Sequence, residues 1–304
     1  MTEEKEKNKQ YQTEWSFSFE KMGDQINEFV QSLGIQGEQA IKQQVFAAPL
    51  DSAETADVRL DLSVGQHLVS TLPADSTDLI EADCTYVCEI NFVVSGKEAR
   101  TVQLNQDSSV ADWFRSMFGW IGSGRKLKWD VKLSPNVLTN LVLRGGVGES
   151  KIDLSALKVS GLQISLGTGE MKAVLPARQQ YAVQISGGIG QFEVTIPDET
   201  DADLKMSAGT GETIVRFGAN CNATAQISGG IGECRLYMPK GAAIRVEART
   251  GVGGVSIHGV PLQKVRGGEE FVRTQGVWET SDYETAEKRI TVRFEGGVGE
   301  LVIR

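Results

Sequence analysis

The stretch LRGGVGESKIDL at residues 143–154 decides the fold, because its Gly-x-Gly core returns along the rest of the chain. The second glycines of the copies are Gly148, Gly169, Gly190, Gly211, Gly232, Gly253 and Gly299. The first six follow one another at steps of 21 residues, whereas the last comes 46 residues after the sixth. Self-similarity at a fixed period of this size predicts a repeat architecture, with the longer final step holding an insertion.

Each copy predicts a sharp reversal of the chain. Two glycines flank a single residue, and this residue is always β-branched: Val147, Thr168, Ile189, Thr210, Ile231, Val252 and Val298. Glycine allows the positive φ angles that a tight corner needs, and a β-branched side chain is stiff at χ1. We expect the β-branched residue to point inward as an anchor for the corner.

Apolar residues alternate with polar ones on both sides of the corner. Leu141 and Leu143 precede the first corner, Ile152 and Leu154 follow it, and later copies keep the phase. A period of two is typical of a strand with one buried face. A unit of two short strands cannot bury that face alone and has to stack on its neighbours. The sequence therefore predicts an all-β fold, a β-solenoid of 21-residue two-strand coils with N-terminal and mid-chain capping helices.

The chain divides into five predicted parts. They are a disordered acidic and polar N-terminus at 1–17, an amphipathic helix at 18–34, irregular β coils at 45–105, an aromatic amphipathic helix at 108–122, and a regular β-solenoid at 126–304 with an insertion at 260–289. The part at 45–105 either continues the stack or forms a small β-sandwich beside it. Because the chain stops directly after a strand, the last coil exposes an edge unless the insertion covers it.

A single apolar stripe marks the first predicted helix. Its residues, spaced by three and four, are Phe19, Met22, Ile26, Phe29 and Leu33. Such a stripe buries one face of a helix against another surface. The surface is either one end of the solenoid or, where the helix oligomerises the chain, a second copy.

The second predicted helix is rich in aromatic residues and is followed by basic ones. The residues that it offers for contact with a partner or with lipid are Trp113, Phe114, Met117, Phe118, Trp120, Arg125, Lys126 and Lys128. Aromatic side chains beside cations are typical of a membrane interface. The alternative interpretation is a plug over an open edge of the solenoid, where an exposed strand would otherwise pair with other chains.

The composition limits the classes of partner. The 304 residues carry 31 Lys and Arg against 40 Asp and Glu, a formal charge of -9, which argues against nucleic acid as a partner. No apolar run approaches the length of about 18 residues that a membrane-spanning helix needs. The N-terminal MTEEKEKNKQYQTEW is polar and charged, unlike a signal peptide. We therefore expect a cytoplasmic protein, with the membrane surface as an alternative location.

The sequence predicts no catalytic residues, no cofactor and no metal centre. Its two His residues, His67 and His258, have no acid and nucleophile pattern beside them. Cys84 and Cys88 have no partner pair at the spacing of metal ligands. Cys234 falls at a position where other copies carry core residues, so we expect it to be buried.

Acidic residues follow five of the seven corners. They are Glu149, Glu170, Glu212, Glu233 and Glu300. Carboxylates stacked about 5 Å apart repel one another unless cations such as Ca²⁺ or salt bridges neutralise them. Basic residues on the same outward face favour the salt bridges, namely Lys151, Lys172, Arg216 and Arg235.

From about residue 127 onward the chain resembles the LiaF-like, or toast-rack, domain family of bacteria. The resemblance lies in WDVKLSPNVLTNLVLRGGVGESKIDLSALKVSGLQISLGTGEMKAVLP at 129–176 and in WETSDYETAEKRITVRFEGGVGELVIR at 278–304. It implies a β-stack, no catalytic residues and a setting in cell-envelope stress responses. Members are often fused to membrane helices, which this sequence does not contain.

The expected function is a non-enzymatic scaffold or protein-interaction module, in envelope-stress signalling by resemblance. One alternative is a membrane-surface adaptor that uses residues 110–128. Another is a structural protein that self-assembles through the ends of the solenoid. We expect the chain to bind a protein partner or a second copy of itself. The fold alone does not identify the partner, because function depends on the particular sites that a fold carries.

Overall fold

The computed structural model describes residues 41–87, 89–107, 127–269 and 274–304. Within those ranges it contains eighteen strands in one sheet and no helix, so the predicted all-β class is confirmed. The strands are β1 (Lys42–Pro49), β2 (Thr55–Thr71), β3 (Asp78–Tyr86), β4 (Glu89–Ser95), β5 (Ala99–Asp107), β6 (Lys128–Leu133), β7 (Leu138–Asp153), β8 (Val159–Val174), β9 (Gln180–Ile196), β10 (Asp201–Phe217), β11 (Asn222–Ile231), β12 (Cys234–Tyr237), β13 (Ala243–Val252), β14 (Val255–Ile257), β15 (Gln263–Glu269), β16 (Thr274–Glu279), β17 (Arg289–Val298) and β18 (Leu301–Ile303).

Three of the predicted parts lie outside the described residues. They are the N-terminus at 1–17 and the two helices at 18–34 and 108–122. The described residues contain no helix long and apolar enough to span a membrane.

The repeating element is a rung, which consists of a first arm, a glycine corner and a second arm. Strands β2, β7, β8, β9 and β10 each run through the corner without a break. In the other rungs the corner separates two strands, as in β11 with β12, β17 with β18, and β13 with β14. First arms pair with first arms and second arms with second arms, so the sheet bends along the line of corners.

Neighbouring rungs pair in parallel and in register with the sequence pattern. Leu162 lies opposite Val183, and Gly169 lies opposite Gly190, each pair being 21 residues apart. The turns at the far end of the second arms follow the same spacing, since Arg178, Glu199 and Asn220 all have positive φ near 55°. Equivalent residues therefore form columns that run across the strands.

The order of the rungs departs from the order of the chain at the C-terminal end. The last rung, β17 with β18, lies between β11 with β12 on one side and β13 with β14 on the other. Phe294 is thus opposite Ile227 in one neighbour and Ala248 in the other. The last coil exposes no edge, and the reason is not the expected cover by the insertion: the final strand has partners on both sides and its three residues are buried.

The predicted insertion at 260–289 makes this order possible. It contains β15 and β16, which form an antiparallel pair, and β16 covers the outer side of the first arm β13. The chain then returns along residues 280–288, and β17 lies between two rungs that both precede it in the sequence. Pairing on both sides satisfies the backbone groups that a terminal strand would leave open.

At the N-terminal end the first continuous rung is β2. Its corner glycine, Gly65, lies opposite Gly148 of β7. On the other side of β2 a rung is divided between β5, which pairs with the first arm, and β6, which pairs with the second. Antiparallel strands complete this end, with β4 on β5 and with β3 and then β1 on β6.

The core lies in the angle between the two arms. One column five residues before the corner glycines shows this clearly, since it contains Leu143, Ile164, Ile185, Met206 and Ile227, each at most 2% exposed. Burying one such side chain contributes about 2 kcal/mol. Because each side chain packs on its neighbours in the adjacent rungs, the rungs stabilise one another.

The corner itself requires glycine, as Gly190 illustrates. Its φ is 144°, a value that other residues rarely adopt. A Cβ at this position would overlap the carbonyl oxygen of Gly169 in the next rung. The corners therefore pack backbone on backbone, with no space for a side chain between them.

We predict that Gly190→Ala lowers the free energy of unfolding by about 3 kcal/mol or more, since it combines backbone strain with overpacking. Gly254→Ala is the matched control, because a Cβ there has no atom within 4 Å and its φ is not positive. The control should change stability by less than about 0.5 kcal/mol. Urea unfolding followed by circular dichroism measures both variants, and equal stability of the two would contradict the proposed corner packing.

Candidate interaction surface at the glycine corners

The β-branched residues of the corners form a row, part of it exposed, which we call the corner ridge. In spatial order the ridge consists of Val64, Val147, Thr168, Ile189, Thr210, Ile231, Val298 and Val252. Ile189 is 56% exposed and Ile231 is 58% exposed, with Val252 and Val298 at about half. Our expectation of an inward anchor is wrong at these positions.

The reason is that other residues fill the inside of the corner. Phe192, two residues after its corner glycine, is buried and lies directly below Gly187. A Cβ on Gly187 would come within 2.6 Å of the Phe192 ring. Alternation then turns the residue between the two glycines outward, since successive side chains in extended chain point to opposite faces.

The same inner position holds a buried histidine in β2. His67 is 2% exposed, and its Nδ1 lies 2.9 Å from the hydroxyl oxygen of Ser150 in the next rung. Its Nε2 has no hydrogen-bond partner among the described residues. Burial lowers the pKa of His67 from 6.5 to about 4, because the charged imidazolium loses its hydration there.

The pair of His67 and Ser150 was not found from the sequence, because 83 residues separate the two. Neither the motif of the corner nor any local spacing indicates it. A small cavity adjoins the pair and is lined by Leu166, Phe192 and the backbone of Gly146. No described carboxylate contacts Nε2, so the pair lacks the third member of a catalytic triad.

The acidic residues beside the ridge differ in whether they form ion pairs. Arg235 forms ion pairs with Glu212 and Glu233, as the salt-bridge interpretation predicts. Glu149 and Glu170 are exposed and make no ion pair with any described residue. Among the acidic residues that directly follow a corner glycine, those paired with Arg235 therefore lie in later rungs, whereas Glu149 and Glu170 in the first rungs have no ion-pair partner among the described residues.

A second salt bridge lies farther out on the second arm. The Arg216 Nε donates to Glu193 Oε1 at 2.6 Å, and the guanidinium lies 4.0 Å from the centre of the Tyr237 ring. The predicted partners Lys151 and Lys172 make no ion pair with any residue in the described ranges. Across those same ranges, no group of three or more His, Cys, Asp or Glu side chains could hold a metal ion.

The structure describes one of the predicted contact residues. Lys128 lies at the start of β6, and its Nζ donates to Asp130 Oδ2 at 2.8 Å. The other seven lie outside the described residues: Trp113, Phe114, Met117, Phe118, Trp120, Arg125 and Lys126. The neighbouring Trp129 is 1% exposed, so it belongs to the core.

The segment between β5 and β6 interrupts a rung at its corner. Leu127 lies beside the corner of β2, where its carbonyl oxygen accepts a hydrogen bond of 2.9 Å from the amide of Gln66. Asn105, near the end of β5, lies opposite Asp61 in the same rung of β2. The described chain thus ends and resumes on the two sides of the position where the other rungs have a Gly-x-Gly corner.

The cysteines are consistent with a structural role. Cys234 is 4% exposed, which confirms the prediction that it is a core residue. Cys84 and Cys221 are also buried and free. Burial raises the pKa of Cys84 and of Cys234 to about 12, so neither thiol ionises near neutral pH.

The family model for the N-terminal domain of toast_rack, DUF2154, matches residues 35–196. This is more than half of the 304 residues. The match begins at residue 35, before the predicted irregular coils at 45–105, and it ends with β9. It therefore includes both the divided rung of β5 and β6 and the first regular corners.

Three solved structures have a low similarity to this chain. A candidate cell adhesion protein from Clostridium sporogenes has 19% identity and a TM-score of 0.39, and the alignment covers 87% of this chain and 99% of that one. A candidate adhesin from Bacteroides fragilis has 10% identity and a TM-score of 0.32, covering 89% and 100%. A candidate lipid-binding protein from Parabacteroides distasonis has 10% identity and a TM-score of 0.33, covering 89% and 99%. These likenesses are too remote to assign a function.

No curated protein matches the chain.

We predict that His67 makes folding depend on pH. The folded-state pKa lies below that of the unfolded chain, so the unfolded chain binds a proton first as the pH falls. The stabilisation is fully present above pH 6.5 and decreases by about 3 kcal/mol as the pH falls to about 4. Urea unfolding of the wild type and of His67→Gln at several pH values measures the difference.

The exposed His258 supplies the control for this prediction, since the chain contains only two histidines. His258→Gln should follow the pH dependence of the wild type, whereas His67→Gln should lose stability less steeply between pH 6.5 and 4. Parallel pH profiles for the wild type and His67→Gln would show that His67 takes up its proton without unfolding.

Proposed function

The chain belongs to the toast-rack family, and on that premise we propose that it is a non-enzymatic module that binds a protein partner through the exposed part of its corner ridge. The carrying observation is the exposure of four aliphatic side chains within five consecutive rungs, at Ile189, Ile231, Val298 and Val252, the last three of which are on adjacent rungs. Contiguous exposed apolar surface on a soluble fold marks an interaction site.

The geometry of the ridge supports this proposal. From Ile189 to Val252 the ridge crosses five rungs, a length of about 19 Å at the usual strand spacing. Glycines flank each of these five ridge residues, so no side chain next to it in the sequence shields it. The backbone below is held on both sides by the parallel ladder, which keeps the ridge rigid. A preorganised apolar edge binds a partner without the loss of entropy that a flexible loop suffers.

The nucleophiles and bases of the described residues support a non-catalytic role. His67 and Ser150 are 2% and 4% exposed, and the cysteines described are buried. A substrate would have to separate the arms to reach them. Envelope-stress signalling, which the family resemblance implies, is the setting that we propose for the partner.

Association with a membrane through residues 110–128 is the second proposal. Their aromatic and basic side chains favour lipid, whereas the unpaired Glu149 and Glu170 at the same edge repel an anionic surface. We also propose that the protein is located in the cytoplasm, either free of the membrane or in contact with its surface.

Self-assembly through the ends of the stack has one structural feature in its favour. Four of the described strands pair on one side alone, namely β1, β4, β14 and β15. Unpaired edges of this kind can pair with another chain. We place self-assembly through these edges after a protein partner, because the exposed aliphatic ridge is the feature that favours a partner.

Flotation with vesicles of phosphatidylglycerol and phosphatidylcholine tests the membrane proposal. If residues 110–128 bind lipid, the wild type floats with the vesicles and the variant with Trp113→Ser, Phe114→Ser and Phe118→Ser does not. We expect neither protein to float, because the acidic edge opposes the anionic surface. Flotation of the wild type alone would support the adaptor instead of the protein-binding module.

Capture from an extract of the source organism tests the main proposal. The full chain serves as bait beside a ridge variant, Ile231→Ser with Val298→Ser, and a control, Val45→Ser with Val93→Ser. The control residues are 59% and 44% exposed but lie on the outer strands β1 and β4. We expect at least one protein that the wild type and the control retain about tenfold more than the ridge variant. Equal retention by all three baits would refute binding through the ridge.

A further inference from the structure

The stack ends on its N-terminal side in two strands, one on each arm. On the first-arm side β5 is followed by β4, and on the second-arm side β6 is followed by β3 and then by β1. Among the described residues, β1 pairs with β3 alone and β4 pairs with β5 alone. This end, which we call the N-terminal end face, therefore presents two open strand edges.

The two end strands face each other across a core that is incompletely covered. The ring centroids of Phe46 in β1 and Phe92 in β4 lie 5.4 Å apart. Both side chains are half-buried, whereas the residues opposite them in the next strands, Ala82 and Leu104, are 0% exposed. The apolar core thus extends to the end face and is only partly covered there.

Over most of their length, the two edges lack the features that keep edge strands from pairing. Such features are charges within the strand, proline, bulges, or very short strands. β1 reads KQQVFAAP and β4 reads EINFVVS, so each has one charged residue, at its first position, and the proline is the last residue of β1. The ladders run without a register shift along the whole of β4 and as far as Ala48 in β1.

The open edges at the other end of the stack do have these features. β14 contains three residues, which is short for edge-to-edge pairing. β15 reads QKVRGGE, with charges at Lys264 and Arg266 and a register shift between them. The two ends therefore differ, and the N-terminal end face is the one whose edges are open to pairing.

The charge of the end face allows a second copy of the chain to approach. Lys42 and Glu89 form an ion pair that joins the beginnings of the two strands. The remaining residues of β1 and β4 are uncharged, so the two strands together carry no net charge although the chain carries -9. Like charges directly opposite each other would destabilise a new ladder, and here the middle of both edges is free of them.

The geometry favours a second copy over a single added strand. A lone strand from another protein can pair with β1 or with β4, but it leaves the other edge and the apolar residues between them uncovered. A copy of this chain presents two edges at the same separation, with the same half-buried aromatic rings between them. Contacts of one surface with its own copy are also the commonest interface of homo-oligomers.

We propose that two copies of the chain associate through their N-terminal end faces. β1 and β4 each contribute an edge to pairing between the chains, and Phe46 and Phe92 pack against the same rings of the second copy. The proposal commits the self-assembly considered above to one end of the stack and is independent of the ridge. Ile189, where the exposed ridge begins, lies five strand spacings from β4, about 24 Å, so the dimer leaves that surface open.

Sedimentation equilibrium of the full chain tests the association. We expect an average mass that rises with concentration from 33.0 kDa toward twice that value. Val45→Lys with Val93→Lys adds a charge near the middle of each edge strand, at side chains that are exposed and lie outside the core. Because these lysines approach their counterparts in the second copy, the dissociation constant should rise at least about tenfold.

The matched control is Val265→Lys with Val298→Lys, which makes the same change of charge at exposed residues of β15 and β17. The control should dimerise like the wild type. Since Val298 belongs to the ridge, association through the ridge would weaken in the control instead. A wild type that stays monomeric over about a hundredfold range of concentration would overturn the proposal, as would a control weakened as much as the edge variant or an edge variant that dimerises like the wild type. Circular dichroism and the urea midpoint establish that each variant is folded.

Hydrogen exchange of the wild type locates the interface without any substitution. Amides of β1 and β4 should exchange more slowly as the concentration rises, because pairing between the chains protects them, whereas those of β15 should keep their rate. Protection of β15 or of the corners, with β1 and β4 unchanged, would contradict the end-face dimer. Neither experiment needs a partner protein, so the dimer can fail while capture by the ridge succeeds, and the reverse outcome is equally distinguishable.

Discussion

The contact of backbone with backbone at the corners is the constraint on which the structure depends. At Gly190 a single added carbon would overlap the carbonyl oxygen of Gly169 in the next rung. This close approach fixes the register of both arms at once, since a shift by one residue would place a side chain in the contact and turn the apolar face outward. The columns of the core then follow from the corner, and each rung gains stability from the rungs beside it.

The same constraint decides which side chains are free for function. The inside of the corner is filled from the second arm, by Phe192 in one rung and His67 in another, so the residue between the glycines has to point outward. The ridge is therefore a consequence of packing, and its exposed aliphatic residues stand on backbone that the parallel ladder holds in place. A surface of this kind suits binding better than catalysis, because the reactive groups lie beneath it.

The sequence predicted the strands and the buried columns because both depend on local alternation, which the chain repeats many times. It did not predict the place of the last rung. The alternation of apolar residues around Phe294 fits a position beside Ile227 and a position after Ala248 equally well, and in the structure Phe294 lies opposite both. Gly65 was missed as a corner because serine replaces the first glycine at position 63. The contact between His67 and Ser150 depends on rungs that lie 83 residues apart, a distance at which no spacing in one sequence is informative.

The chain tolerates a long insertion at a corner. Nineteen residues, 108–126, separate the two arms β5 and β6 of one rung, whereas the insertion at 260–289 lies between the second arm β14 and the first arm β17. Both arms of the interrupted rung remain paired to β2, so the insertion adds loop-closure entropy and removes few backbone hydrogen bonds. Extending a corner of three residues to 19 costs about 2 kcal/mol by this term, less than a single buried column residue would lose on truncation. The arms therefore hold the stack together without help from every corner, and the corner edge is free to carry the exposed aliphatic residues to which we assign the partner.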